Sequence, residues 1–479
     1  MTNLEQTVDM RLRVPGRWRG FGFIGPAAMV SVGYMDPGNW ATDLEGGARF
    51  GYQLLWVLVA SNLIAMVLQT LAARLGIVGR IDLAQACRAH YARPVALALW
   101  LLCETAIVAC DLAELLGSAI ALNLLFGIPL VWGALITGFD VMLILVLQHY
   151  GIRKLEALVA TLVLTIGACM ALEMLLVRPA WGDVASGLVP RLNATSLFVA
   201  IGILGATVMP HNLYLHSALV QTRRIGNGAR AKREAIRYNF LDTALALNVA
   251  LCINAAILIL SASTFFSRGI AVTELRQAHE LLTPLLGTTL ASTAFAIALL
   301  AAGQSSTITG TLAGQVVMEG FVRLRFSPLK RRLLTRMLAI VPAVAVLFNA
   351  GEGGVLQLLV LSQVVLSLQL PFAIVPLIRF TSAPRIMGAL VSPLWLRRLG
   401  WGAALLIIGL NGWLVMQALA PADAGFGRFA IGLVAVLCTA LLAWIAFSPL
   451  RFTPAGVCAP TNDAEHNASH NNKVALMPR

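Results

Sequence analysis

An all-α integral membrane protein built from two inverted repeats is the fold the chain predicts, and three observations predict it. Of its 479 residues 58% are hydrophobic and only 12% are charged, against roughly a quarter charged in soluble domains. The apolar residues gather into runs of about 20 or more, the length that crosses a bilayer. Two of those runs, five apart in order, are interrupted at mid-length by a proline among polar residues.

The runs fall at residues 22–45, 52–75, 95–125, 131–149, 155–176, 196–220, 239–264, 284–319, 333–349, 354–379, 401–420 and 428–447, which makes twelve expected spans. The basic residues test that number. Arg11, Arg13, Arg17 and Arg19 precede the first span. Arg80, Arg88 and Arg93, then Arg153 and Lys154, then Arg223, Arg224, Arg230, Lys232, Arg233 and Arg237 fill the second, fourth and sixth loops. Arg323, Arg325, Lys330, Arg331 and Arg332 fill the eighth, and Arg385, Arg397 and Arg398 the tenth. Odd-numbered loops hold only scattered ones such as Arg49, Arg178, Arg191, Arg268 and Arg276. Cytoplasmic loops are the ones enriched in Lys and Arg, so the even loops and both termini are expected in the cytoplasm and the chain in the cytoplasmic (inner) membrane. The expected organisation is a tail at 1–21, a transporter domain at 22–449 and a polar, disordered tail at 450–479 containing His466 and His470. No cleavable signal peptide is read before the first span.

The net charge of +13 does not mark a nucleic-acid binder, because the basic residues alternate with apolar runs and form no basic domain. The seven cysteines, Cys87, Cys103, Cys110, Cys169, Cys252, Cys438 and Cys458, are scattered with no C-x-x-C pair. That pattern argues against a disulfide framework and against a zinc site.

The first span reads Gly33-Tyr34-Met35-Asp36-Pro37-Gly38-Asn39-Trp40 and the sixth Ala206-Thr207-Val208-Met209-Pro210-His211-Asn212-Leu213. Proline removes a backbone donor and clashes with the turn before it, so both helices are expected to break. With the prolines aligned, Asp36 stands opposite Met209, Asn39 opposite Asn212 and Gly33 opposite Ala206. An offset of five spans inverts the second half of the chain relative to the first. Spans one to five (about 22–176) and six to ten (about 196–379) are then inverted repeats, followed by two extra helices (about 401–447). In such transporters the substrate sits where unwound backbone lines a cavity.

A carboxylate inside an apolar span needs a cation, a proton or a partner. Asp36 supplies that carboxylate, Asn39 a neutral oxygen, the backbone near Ala206 a freed carbonyl and Met209 a thioether. Oxygen ligands alone suit magnesium or calcium, whereas a soft thioether favours transition metals. The mixture fits manganese(II) or iron(II). A sodium-coupled amino-acid carrier would need small residues and helix N-termini facing a substrate carboxylate, which an aspartate facing a methionine does not offer. A magnesium carrier would differ chiefly at the methionine. No H-E-x-x-H or G-x-S-x-G points to an intramembrane enzyme.

At these residues the chain resembles the Nramp family of proton-coupled divalent-metal transporters, in its bacterial manganese branch. Asp36-Pro37-Gly38-Asn39 and Met209-Pro210-His211-Asn212 carry the resemblance, with Ala301–Gly320 (AAGQSSTITGTLAGQVVMEG) and Leu361-Ser362-Gln363 through Gln369-Leu370-Pro371-Phe372. It implies a LeuT-like fold. It also implies metal ligation by Asp36, Asn39, Met209 and the Ala206 carbonyl, with Gln363 able to join. Cys110 departs from the threonine expected before the third-span aspartate.

Span three carries Glu104, Asp111 and Glu114. Seven residues separate the first two, which puts them on one face, and Glu114 lies one turn beyond Asp111. Together with Asp36, His211 and the arginine pair Arg331 and Arg332, which the resemblance places beside these acids, they form the expected proton path. The expected activity is proton-coupled uptake of manganese(II) or iron(II), with the metal and proton as transported substrates, the lipid bilayer as surroundings and no cofactor.

Overall fold

The computed structural model describes residues 8–9, 25–138, 152–226, 228–270, 272, 275–322, 337–346, 353–419 and 426–452. Residues Met1–Ser448 form one compact unit and Pro449–Arg479 a second. Arg331, Arg332, His466, His470 and Cys458 lie outside the described residues.

The architecture is helical, and among the described residues eight helical stretches are long and apolar enough to cross a membrane. That figure does not by itself give the expected twelve, and the last expected span is the shorter apolar helix Ile431–Phe447. One continuous stretch, Pro37–Gly79, contains the second half of span one and all of span two. Spans four and nine are described only as the helices at 130–138 and Met337–Val346. Leu164, Leu405 and Val436 leave more than half of their surface uncovered, an apolar exterior of the kind a lipid environment requires.

Span one is two helices. α1 (Pro26–Ser31) tightens into a 3₁₀ turn at Val32–Met35, and α2 (Pro37–Phe50) begins afresh with Asp36 in an extended conformation between them. α3 (Leu55–Arg74) returns, running into a π turn at Leu75–Gly79. The short α4 (Leu83–His90) is capped by the Asp82 carboxylate on Gln85 N–H, and α5 (Arg93–Phe126) is span three. α6 occupies residues 130–138, α7 Ile152–Val177 and α8 Trp181–Ser186.

Span six is again two helices. α9 (Ala194–Thr207) opens with a capping box between Asn193 and Ser196, and α10 (Pro210–Leu219) follows the break. Arg223–Arg224 (β2) then pairs in parallel with Val8–Asp9 (β1). α11 (Ala229–Thr264) starts ten residues before the apolar run expected at 239, because the basic segment ahead of that run is helical too. The run expected at 284–319 divides into α12 (Leu275–Leu286) and α13 (Thr289–Val322) around Gly287, whose φ of 73° is left-handed. α14 (Met337–Val346), α15 (Gly353–Ser382), α16 (Pro384–Met387), α17 (Leu394–Leu419) and α18 (Phe426–Phe447) complete the order.

The two broken spans lie at the centre. α2 packs on α9, α11, α15 and α5, while α13 packs on α5 and α7. Where backbones meet, glycine is required. A Cβ at Gly117 would strike the Pro37 ring, and one at Gly205 would strike the Gln363 carbonyl of α15. Close approach of this kind is how helices pack in a bilayer without a hydrophobic driving force between them.

Candidate metal-binding site

The two breaks face each other. A Cβ on Gly33, the second residue of the first break's 3₁₀ turn, would sit 3.2 Å from the Met209 sulfur and overlap the Asn212 amide. Asp36 and Met209 are both completely buried, and each is the N-cap residue of the helix that follows its break.

Backbone chemistry explains what the breaks expose. In an intact helix the N–H of residue i+4 serves the carbonyl of residue i. For Ala206 that residue is Pro210, which has no N–H; for Gly33 it is Pro37. The turn before Pro210 is still closed by Val208 N–H on the Leu204 carbonyl at 2.9 Å. The helical pattern thus stops at the carbonyl expected to bind metal.

Asp36 Oδ1 accepts the Asn39 N–H at 2.8 Å, so the N-terminus of α2 holds the carboxylate in place. The Asn39 side chain is completely buried, yet neither of its polar atoms has a hydrogen-bond partner. Gln363 is also completely buried; its Nε2 donates to Ser362 Oγ at 3.0 Å while its Oε1 is unsatisfied. A Cβ on Gly38 would overlap that Gln363 amide, so Gln363 lies directly over the backbone between Asp36 and Asn39. Buried polar atoms without partners are rare and costly. Here the side chains of Asn39 and Gln363 present them beside a carboxylate, with a thioether on the facing break. Those are donors of the kind a cation site would use.

Among the described residues no group of three or more His, Cys, Asp and Glu side chains converges on a point that could hold a metal. One carboxylate with neutral oxygens and a thioether is a lighter ligand set than a structural zinc or iron site uses, and it suits an ion that must leave again.

The expected proton-path residues divide. Cys110, on α5, places its sulfur 3.9 Å from Asp36 Oδ2 and 3.6 Å from Glu114 Oε1. Its single S–H can serve only one of the two at a time, so it links the ligand carboxylate to the acid one turn along. The departure noted in the sequence therefore sits at the junction of metal site and acids. Asp111 and Glu114 are buried, and both approach Gly310 of α13, where a Cβ would lie 3.6 Å from Asp111 Oδ1 and 2.9 Å from Glu114 Oε1. His211 is buried within electrostatic range of Asp111. Glu104 stands apart, about 10 Å further along the helix, where its carboxylate accepts the Trp100 indole N–H at 3.0 Å.

Several residues around the breaks escape a reading of the sequence. Gln69 of α3 donates to Tyr34 Oη at 2.7 Å, and its Oε1 lies 2.8 Å from His216 Nδ1. Asn239 Nδ2 lies 3.4 Å from His216 Nε2. Both ring nitrogens of His216 therefore have a polar side chain beside them. Asn254 donates to the Tyr34 carbonyl at 2.7 Å. Asp43, two turns beyond Asp36 on the same face of α2, is completely buried with neither carboxylate oxygen paired. A lone acid, glutamine or asparagine in an apolar span was the only signal available for these.

The chain is similar to known proteins over most of its length. The model of the natural resistance-associated macrophage protein-like (Nramp) family matches residues 27–417. A divalent metal cation transporter MntH of Xanthomonas campestris pv. campestris is 59% identical over 403 residues, covering 83% of this chain and 91% of its own length. A second MntH, from a Nostoc species, is 55% identical over 421 residues, 86% of this chain and 95% of the relative. A crystal structure of the Eremococcus coleocola manganese transporter superposes with a TM-score of 0.84 at 37% identity, covering 93% of this chain and 98% of that one. The nucleobase-cation symporter Mhp1 superposes with a TM-score of 0.57 at 17% identity, which shows a shared fold alone. The chain belongs to the Nramp family and is a multi-pass membrane transporter of divalent metal ions, not an enzyme.

Proposed function

We propose that the chain takes up manganese(II) or iron(II) across the cytoplasmic membrane together with protons, by alternating access in a twelve-span LeuT-like fold with both termini in the cytoplasm. The observation that carries this reading is the pairing of Asp36, Asn39 and Gln363 with Met209 across two facing breaks. Oxygen donors hold any divalent cation; the thioether adds preference for transition metals over calcium and magnesium. In this reading Asp36, Asn39, Met209, the Ala206 carbonyl and Gln363 form the shell. Asn39 and Gln363 gain the partner their buried oxygens lack. The twelve-span arrangement is supported by the alternation of basic loops and by the two matched breaks. Manganese as cargo is supported by the similarity to the Eremococcus coleocola manganese transporter.

Proton coupling is supported by the continuity from Asp36 through the Cys110 thiol to Glu114, with Asp111 and His211 close by. A cation arriving at Asp36 displaces a proton from that carboxylate, and the neighbouring acids accept it. Arg331 and Arg332 belong to the proposal on the resemblance alone.

Uptake by the purified protein in liposomes, with manganese, iron, calcium and magnesium compared at two external pH values, tests the whole reading. Manganese or iron uptake that rises with an inward proton gradient is expected. Met209→Ala keeps manganese transport and admits more calcium or magnesium; calcium exclusion that survives the change removes the thioether as the filter. Asp111→Asn keeps metal binding and loses the pH dependence of uptake, and an unchanged dependence defeats the proton route.

A further inference from the structure

Away from the metal site, α7 and α11 leave a groove of about 390 Å³ open on the outer surface of the bundle. Gly167, Met170 and Ala171 form one wall and Leu245, Asn248 and Cys252 the other. The walls are almost entirely apolar, Cys252 is exposed within them, and the groove lies among residues of two candidate membrane spans. Bilayer lipid therefore borders it.

The cytoplasmic end of α11 says which lipid. Arg230, Arg237, Leu241, Leu245, Asn248 and Cys252 are all exposed. At 3.6 residues per turn they fall within about 80° of one another around the helix. One continuous stripe thus begins with arginines and ends in the groove. Arg233, also exposed, flanks the basic end; the half-buried Glu234 falls within the stripe, so that end carries three arginines to one acid. Arg153, at the foot of α7, is paired with Glu156 at 3.1 Å, and α11 carries the larger basic cluster. From Arg237 to Leu245 the helix rises about 12 Å, less than the roughly 15 Å depth of one leaflet's hydrocarbon. A lipid whose headgroup sits at the arginines reaches the groove with its chains.

We infer that this face is a binding site for an anionic phospholipid of the cytoplasmic leaflet. The headgroup phosphate lies at Arg230, Arg233 and Arg237, and an acyl chain lies between α7 and α11. Clustered basic residues next to a membrane span favour anionic over zwitterionic headgroups, and small residues at Gly167 and Ala171 leave the space that the chain fills.

Native mass spectrometry of the full chain in equal amounts of dioleoyl phosphatidylglycerol and dioleoyl phosphatidylcholine tests this. Each arginine contributes about fivefold, so retention of phosphatidylglycerol at least about tenfold above phosphatidylcholine is expected. The triple variant R230Q/R233Q/R237Q brings the two lipids level. Ala171→Trp, which fills the groove from a lipid-facing position, lowers retention of phosphatidylglycerol with the arginines intact. Should that variant not fold, alkylation of Cys252 in the native chain replaces it, expected to slow when phosphatidylglycerol is added. Equal retention of both lipids by the native chain overturns the inference. So does a preference that outlasts loss of the arginines, a filled groove that binds as before, or a Cys252 alkylation rate indifferent to phosphatidylglycerol. Oxidative cross-linking of Cys252 between two copies overturns it as well, since the groove then holds a second chain.

Discussion

Gly38 and Gln363 lie on different spans, yet the structure ties them in one steric unit, and substituting each alone and together measures that tie. A Cβ on Gly38 would fall onto the Gln363 side-chain amide, with Oε1 still only 3.0 Å away. Gly38→Ala must therefore push Gln363 aside, and forcing extra carbon into a packed interior costs about 1–3 kcal/mol. Against that stands the helix propensity of alanine over glycine, about 1 kcal/mol, at a position inside the first turn of α2. The net expectation is a loss of up to about 2 kcal/mol. In a Gln363→Ala background the obstacle is gone and only the propensity gain is left, so the same glycine substitution becomes stabilising by up to about 1 kcal/mol. The sign reverses, and the coupling falls in the range expected for residues in contact. Thermal unfolding of the four purified proteins in one detergent measures it, with manganese uptake in liposomes as a second readout. Uptake in Gly38→Ala falls because Gln363 no longer overlies Asp36 and Asn39. Additive effects of the two substitutions on thermal stability would refute the packing argument and, with it, the placement of Gln363 in the metal shell.

Asp36→Asn keeps an oxygen that accepts the Asn39 N–H and so keeps the cap on α2, but it removes the charge; folded yield is unchanged and manganese binding, followed by calorimetry, is lost. Arg223 is buried and bonds Glu156 at 2.7 Å, a carboxylate that Arg153 also meets at 3.1 Å, so Arg223→Ala leaves Glu156 with one partner of two and lowers stability by about 1–3 kcal/mol; a double variant with Glu156→Gln regains part of it in thermal unfolding. Burial raises the Asp82 carboxyl to about 7, although its hydrogen bond from Gln85 N–H works the other way. Unfolded, the same group titrates near 4, so between about pH 4 and pH 7 the folded chain holds the extra proton and stability falls as pH rises. Asp82→Asn flattens that slope in unfolding midpoints taken across the window, and an unchanged slope would remove Asp82 as its source.

The breaks were legible because a missing N–H is written into proline itself, and the polar residues around Pro37 and Pro210 are out of place in apolar runs. The helix ends were less so. Hydropathy reports where lipid begins, not where a helix begins, which is why the basic turns of α11 and the left-handed stop at Gly287 escaped it. Gln69, Asn239 and Asn254 escaped for another reason. Each is one polar residue in a largely apolar stretch, and what it does depends on residues 23 to 220 positions away. Cys110 was seen as a departure from pattern, but only its distances to Asp36 and Glu114 give that departure a chemical place.

α11 meets span one at three depths. Asp242 accepts the Ala27 N–H at 3.1 Å, Asn254 grips the Tyr34 carbonyl at 2.7 Å, and Ser261 donates to the Leu44 carbonyl at 2.6 Å. These are three rungs on one rigid rail: below the break, at it and above it. Because the chain is unwound at Asp36, no backbone ladder joins the two halves of span one; α11, bonded to both halves and to the turn between them, is the continuous helix that holds them in register.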